Sequence, residues 1–221
     1  MMSEKEFLGG FNTLAIYFDF CADNPERLKA NASIYYECLK HLEPDEWQMA
    51  VNAVLKERVY NSMPKIAELL NHIYGSPEER AVNAWVLVLE MMGRLSDFPS
   101  VKFEDDAIMH AIKALGGWMA VASIDIASDS PMNTAKRKEF ISAYLANRNK
   151  PFSEFYLRGR DEIQNGLGEF MSLAIISTDG KVKKLEGLNA VKLIESKKSP
   201  AQLAFSDMIR GVMGAKRIKA N

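Results

Sequence analysis

The stretch FEDDAIMHAIKALGGW, Phe103–Trp118, holds the residues whose types and spacing first suggest chemistry. Glu104, Asp105 and Asp106 are three adjacent hard oxygen donors of the kind that suits Mg²⁺. Successive helical residues point in different directions, however, so three neighbours seldom converge on one ion. The same acids suit a helix N-terminus, where Asp105 or Asp106 accepts bonds from free backbone N–H groups and complements the dipole. We therefore read them as the start of a helix. His41, His72 and His110 fall on three separate expected helices without the H-x-x-x-H spacing of a zinc site. Cys21 and Cys38 have no C-x-x-C partner and read as buried packing thiols of a reducing compartment. The chain has no Walker-type phosphate loop, G-x-S-x-G elbow or local Cys–His signature. From these residues we expect no catalytic residue, metal or cofactor, and a protein that is not an enzyme.

Gly116 and Gly117 ask a different question. Two glycines inside an apolar helical pattern cost about 1 kcal/mol each against alanine. Either a tight helix crossing or a break that seats Trp118 against the core would offset that cost. Packing rather than ligand contact is the expected role.

The elements that must position these residues are mostly helices. Phe7, Phe11, Leu14 and Phe18 recur at helical spacing, and Pro25 suits the first turn of a second helix bearing Leu28, Tyr35 and Leu39. EPDEW at 43–47 restarts the chain, and NSMP at 61–64 interrupts it before a short helix that Gly75 closes. Ser76, Pro77 and Glu79 spell a helix start for the run carrying Trp85, Val88 and Met92. A further helix follows Pro131, with Phe140 and Tyr144 on its apolar side. Beyond Pro151 the pattern changes: Asp179-Gly180 between FMSLAIIST and KVKKL predicts a β-hairpin, and Pro200 opens a final helix. The fold expected is mainly α: helical bundles with a small C-terminal β-hairpin and a terminal helix. The boundaries expected are a four-helix unit at 1–75, a helical domain at 76–150, and a hairpin, helix and basic tail at 151–221.

Composition supports a folded chain, with 48% hydrophobic and 26% charged residues. No apolar run is long enough to span a bilayer, and MMSEKEFLGGF lacks a hydrophobic signal core, so a cytoplasmic location is expected. The net charge of −1 conceals a polarity. Residues 181–221 hold ten Lys/Arg against three acids, a balance of +7, which leaves −8 for residues 1–180. An anionic partner would meet the basic tail.

Two resemblances add to this reading. Trp85, Phe103, Asp105, Gly116, Gly117, Trp118, Phe140 and Tyr144, with Ile108, Ala111, Ile112, Leu115 and Lys138, match an F-x-D…AI…LGGW…K-x-F…Y pattern. That pattern, over roughly residues 80–165, resembles a domain family of phage and prophage proteins without an agreed activity. Tyr35, Trp47, Ala53, Leu55 and MPKIAELL at 63–70 are similar to the helical domain of phage replicative-helicase loader and inhibitor proteins. The resemblance implies a phage or prophage accessory protein of DNA replication, in the bacterial cytoplasm, that loads or restrains a replicative helicase or another replisome protein. Met208, Arg210, Lys216 and Arg217 are the residues expected to meet that partner, and the basic tail would also reach DNA. The alternative from another class is a phage inhibitor of a host nuclease or defence complex, presenting the acidic body as a DNA mimic. Its acids are interspersed with basic residues rather than arranged in rows, which argues against mimicry.

Overall fold

A computed structural model describes residues 2–124, 131–167 and 171–197. Within them the chain is mainly α with a small three-stranded sheet. It divides into two compact units, one up to Arg80 and one from Ala81 onward.

The first unit contains α1 (Glu4–Tyr17), α2 (Pro25–Leu39), α3 (Pro44–Glu57) and α4 (Ile66–Tyr74). Local chemistry sets each start. Ser3 and Glu6 form a capping box, the Ser3 N–H donating to Glu6 Oε2 at 2.9 Å. Asn24 Oδ1 accepts the Arg27 N–H at 2.9 Å, and Pro25 and Pro44 occupy first-turn positions where a missing N–H costs nothing. Phe7, Phe11, Leu14, Leu39, Trp47, Val51, Val54 and Leu69 build the core. Its keystone is Trp47, whose ring stacks on Phe7 with centroids 5.3 Å apart and whose Nε1–H donates to the Phe7 carbonyl at 3.2 Å. Gly10 makes room for it: a Cβ there would lie 2.5 Å from Trp47 Nε1. The expected burial of both thiols is corrected, because Cys38 is exposed and Cys21 half-exposed. Cys38 sits one residue before the fully buried Leu39, so the helical turn that buries one exposes the other.

The second unit follows from α5 (Pro77–Leu95), opened by the Ser76–Glu79 capping box. Next come β1 (Ser100–Phe103), α6 (Asp106–Ala114), α7 (Trp118–Ala122), α8 (Pro131–Asn147) and α9 (Arg160–Asn165). β2 (Ser172–Ile176), β3 (Val182–Glu186) and α10 (Gly187–Lys197) complete it. The strand order is β1-β2-β3. The expected hairpin is β2–β3, antiparallel with Leu173 opposite Leu185, and Gly180 takes φ +79° at its turn. Four elements, β1, α7, α9 and α10, went unread in the sequence. Ser100–Phe103 is a strand parallel to β2 with Val101 opposite Ala174. α10 lies across the sheet face bearing Leu173, packing Ala190 and Ile194 there. The opposite face, with Ala174 and Ile176, joins the main core of Trp85, Val88, Phe103, Ile112, Trp118 and Phe140.

β1 also joins segments that the sequence reading kept apart, 76–150 and 151–221. Besides its pairing with β2, Val101 and Leu157 exchange backbone hydrogen bonds at 2.9 and 2.8 Å. Arg160 and Asp161 N–H groups donate to the carbonyls of Asp97 and Phe98. Gly159 permits this seam, since a Cβ there would overlap the carbonyls of Pro99 and Phe98. Beneath it, the buried Glu162 accepts the hydroxyls of Ser100 at 2.8 Å and Tyr156 at 2.7 Å. The final helix expected from Pro200 lies outside the described residues.

Candidate functional site

The residues singled out between 85 and 144 converge, and they converge on a core. Trp85 meets Phe140 with ring centroids 5.1 Å apart, Phe140 meets Tyr144 at 6.4 Å, and Phe103 meets Trp118 at 6.2 Å. Asp105 is the N-cap of α6, its Oδ1 accepting the Ala107 N–H at 2.8 Å. Asp106 turns elsewhere, to Lys102 Nζ at 2.9 Å and the Phe152 N–H at 3.1 Å. The acids therefore diverge, as capping requires. Among the described residues no group of three His, Cys, Asp or Glu is placed to hold a metal ion.

The glycine pair ends α6. Gly117 N–H donates to the Ile112 carbonyl at 2.9 Å and Gly116 N–H to that of Lys113 at 3.1 Å, a Schellman closure. Both take positive φ, +100° and +91°. Nothing lies within 4 Å of a Cβ built at Gly117, so backbone conformation rather than a helix crossing requires it. The reversal delivers Trp118 into the core, 1% exposed.

The histidines stay apart. His41 lies in the turn after α2 rather than on a helix, His72 Nδ1 is 3.7 Å from Glu57 Oε2, and His110 Nε2 is 3.2 Å from the Pro151 carbonyl. Met208, Arg210, Lys216 and Arg217 lie outside the described residues. Among those residues no helix is long and apolar enough to cross a membrane.

A surface that the sequence reading missed lies in the first unit. Arg58, with its side chain only 11% exposed, follows α3 and gathers the next loop around itself. Its Nη1 donates to the Tyr60 carbonyl at 2.9 Å and to the Ser62 carbonyl, and its Nη2 to Glu68 Oε2 at 3.2 Å. The guanidinium lies over the Phe18 ring at 5.3 Å and the Tyr60 ring at 5.7 Å. Tyr35 adds a hydroxyl hydrogen bond to the Pro64 carbonyl at 2.8 Å. Burial, followed by the negative Glu68, pushes the Tyr35 hydroxyl above the usual phenol range.

This pinned loop holds Val59 93% exposed and Tyr60 74% exposed, while Ile16 and Tyr17 at the end of α1 are 82% and 59% exposed. Tyr17 packs edge-on against Phe18 at 4.9 Å, which links the two sets through the ring under Arg58. The available sequence signal was the VYNSMP run itself, apolar side chains in a helix break where periodicity assigns no face.

No family model matches the chain, and no curated protein or solved structure resembles it at a significant level.

Proposed function

We propose that the protein is a non-enzymatic, protein-binding accessory factor, and that its contact surface is the knuckle of Ile16, Tyr17, Val59 and Tyr60. The observation that carries this reading is the Arg58-pinned loop. Exposed apolar side chains scattered singly need no explanation, but here the largely covered Arg58 side chain holds two of them outward, and Tyr17 packs on the Phe18 ring that lies under the same guanidinium. A loop ordered before binding loses less conformational entropy when a partner covers it. Tyrosine also suits such contacts, offering a rigid apolar body with a polar tip.

The partner we propose is a replicative helicase, in a phage or prophage replication role. The support is the likeness of residues 1–75 to helicase loader and inhibitor domains. Met208, Arg210, Lys216 and Arg217 are proposed as a second, basic contact, able to reach the helicase or nearby DNA.

The test is retention of the helicase from phage-infected or lysogenic host extract on the immobilised full chain. The expected result is retention by the native chain and loss with Val59→Ser plus Tyr60→Ser, with the helical circular-dichroism signal unchanged. Lys216→Glu plus Arg217→Glu should weaken retention independently. Retention of a helicase unaffected by the loop pair would remove the knuckle from the contact, and its absence from every eluate would remove the helicase reading.

A further inference from the structure

The chemistry of the partner segment can be taken a step beyond that reading, on which it rests. Beside the knuckle, Phe18–Asn24 and Asn61–Met63, with Arg27, wall a cleft of about 530 Å³. That lies within the roughly 300–1,000 Å³ of sites that enclose side chains or small ligands. Phe18, Phe20, Ala22 and Met63 give it an apolar part, and the rest of the lining is polar. Asp19, Asp23 and Arg27, all exposed, are the charged groups of its lining, a balance of −1, and no ion pair joins either carboxylate to a cation among the described residues. The surrounding field has the same sign, since residues 1–80 hold thirteen acids against eight Lys/Arg.

We propose that this cleft receives a lysine or arginine of the partner, so that the segment covering the knuckle is basic and amphipathic rather than acidic or purely apolar. Charge complementarity selects the occupant: a cation entering here gains Asp19 and Asp23 while its aliphatic stem lies on Phe20 and Met63. Arg58 already shows the pairing these rings favour, its guanidinium lying over Phe18 and Tyr60. An incoming carboxylate would instead meet two like charges, only one of them offset by Arg27, on a unit that is acidic overall.

The experiment uses the full chain and two fluorescein-labelled peptides, one repeating Leu-Lys-Lys-Leu and the other Leu-Glu-Glu-Leu, read by anisotropy at low and high salt. The basic peptide is expected to bind, more weakly at high salt, and to depend on Asp19 and Asp23, whereas any binding of the acidic peptide, which the basic residues 181–221 attract, should not. Asp19→Asn plus Asp23→Asn should weaken binding about fivefold, a modest loss because both charge pairs are exposed. Asparagine tolerates the left-handed conformation of residue 19, φ +48°, so this variant keeps the turn. Tyr60→Ser should weaken binding as well. Glu4→Gln plus Glu37→Gln removes the same charge at the other end of α1 and α2, and should leave binding unchanged. Absence of binding by the basic peptide, or equal losses from the two charge-matched pairs, would each overturn the proposal. Helicase retention that depends on Val59 and Tyr60 would stand through any of these results, so the two readings fail separately.

Discussion

Tyr144 donates its hydroxyl hydrogen to Asp105 Oδ2 at 2.7 Å, while the other oxygen of the same carboxylate caps α6. One side chain thus starts a helix and ties it to α8. Removing the hydroxyl with Tyr144→Phe should cost about 1 kcal/mol. Asp105→Ala, which loses the cap and leaves a partly buried hydroxyl without its acceptor, should cost about 2–3 kcal/mol. Urea unfolding of both single variants and the double variant checks the coupling: the double should cost less than the two singles added. Additive losses would show that the two residues act separately.

Gly10 is a test of packing against propensity. Alanine is the better helix former by about 1 kcal/mol, yet a Cβ there would press on Trp47. Gly10→Ala should destabilise by about 1–3 kcal/mol through overpacking, seen as a lower urea midpoint and altered Trp47 fluorescence. A stabilised variant would mean that the indole has room to move.

At Gly117 the argument is conformational, because a Cβ meets nothing. Gly117→Val should lower stability by more than about 1 kcal/mol, and Gly117→Asn by clearly less, since asparagine visits positive φ more readily. Thermal melts of the two variants give the ranking. Equal losses would place the cost in packing after all.

Alkali should expose the Glu162 network. Burial, then the hydrogen bond and charge of Glu162, raise the Tyr156 hydroxyl above its ordinary value. A raised folded value means that the stabilisation is complete below the unfolded pKa of about 10, and is lost as pH climbs from there toward the folded value. Tyr156→Phe should be less stable than the native chain near neutral pH, and the gap should narrow above about pH 10. Melting temperatures across that range report it; a constant gap would exclude the linkage.

Acid should loosen the segment held on α6. Burial pushes the Asp106 carboxyl up, but the Lys102 hydrogen bond, the Phe152 N–H and the charges of Lys102 and His110 outweigh it, so the net direction is down. A depressed folded value stabilises above the unfolded pKa of about 4 and is lost as pH falls through the folded value. Asp106→Asn should therefore differ from the native chain at neutral pH and converge with it in acid. Hydrogen exchange at the Phe152 amide gives a local readout, and should rise in the variant.

Much of the helical plan was legible because its signals are local. Ser76 with Glu79, and the prolines at 25, 44 and 77, act within one turn, so sequence neighbours suffice to predict them. Asp179-Gly180 marked its hairpin for the same reason. β1 was hidden because a four-residue strand buried on both faces has no clean alternation, and its partners, Leu157 and β2, lie more than fifty residues away. α10 was missed where the chain leaves β3, because its apolar spacing gains meaning only from the sheet face that it covers.

The sequence by itself determined where most of the longer helices begin, and that Gly116-Gly117 must mark either a close crossing or a break. These follow from backbone hydrogen-bond accounting and from the cost of exposing large apolar side chains, both readable from residue type and spacing. Only the tertiary structure decided which apolar residues stay outside. Val59 and Tyr60 resemble core residues in composition, and they remain exposed because Arg58 reaches Phe18 and Glu68, forty residues back and ten ahead, to hold their loop outward. That choice depends on through-space contacts among separate helices, which local sequence spacing does not encode.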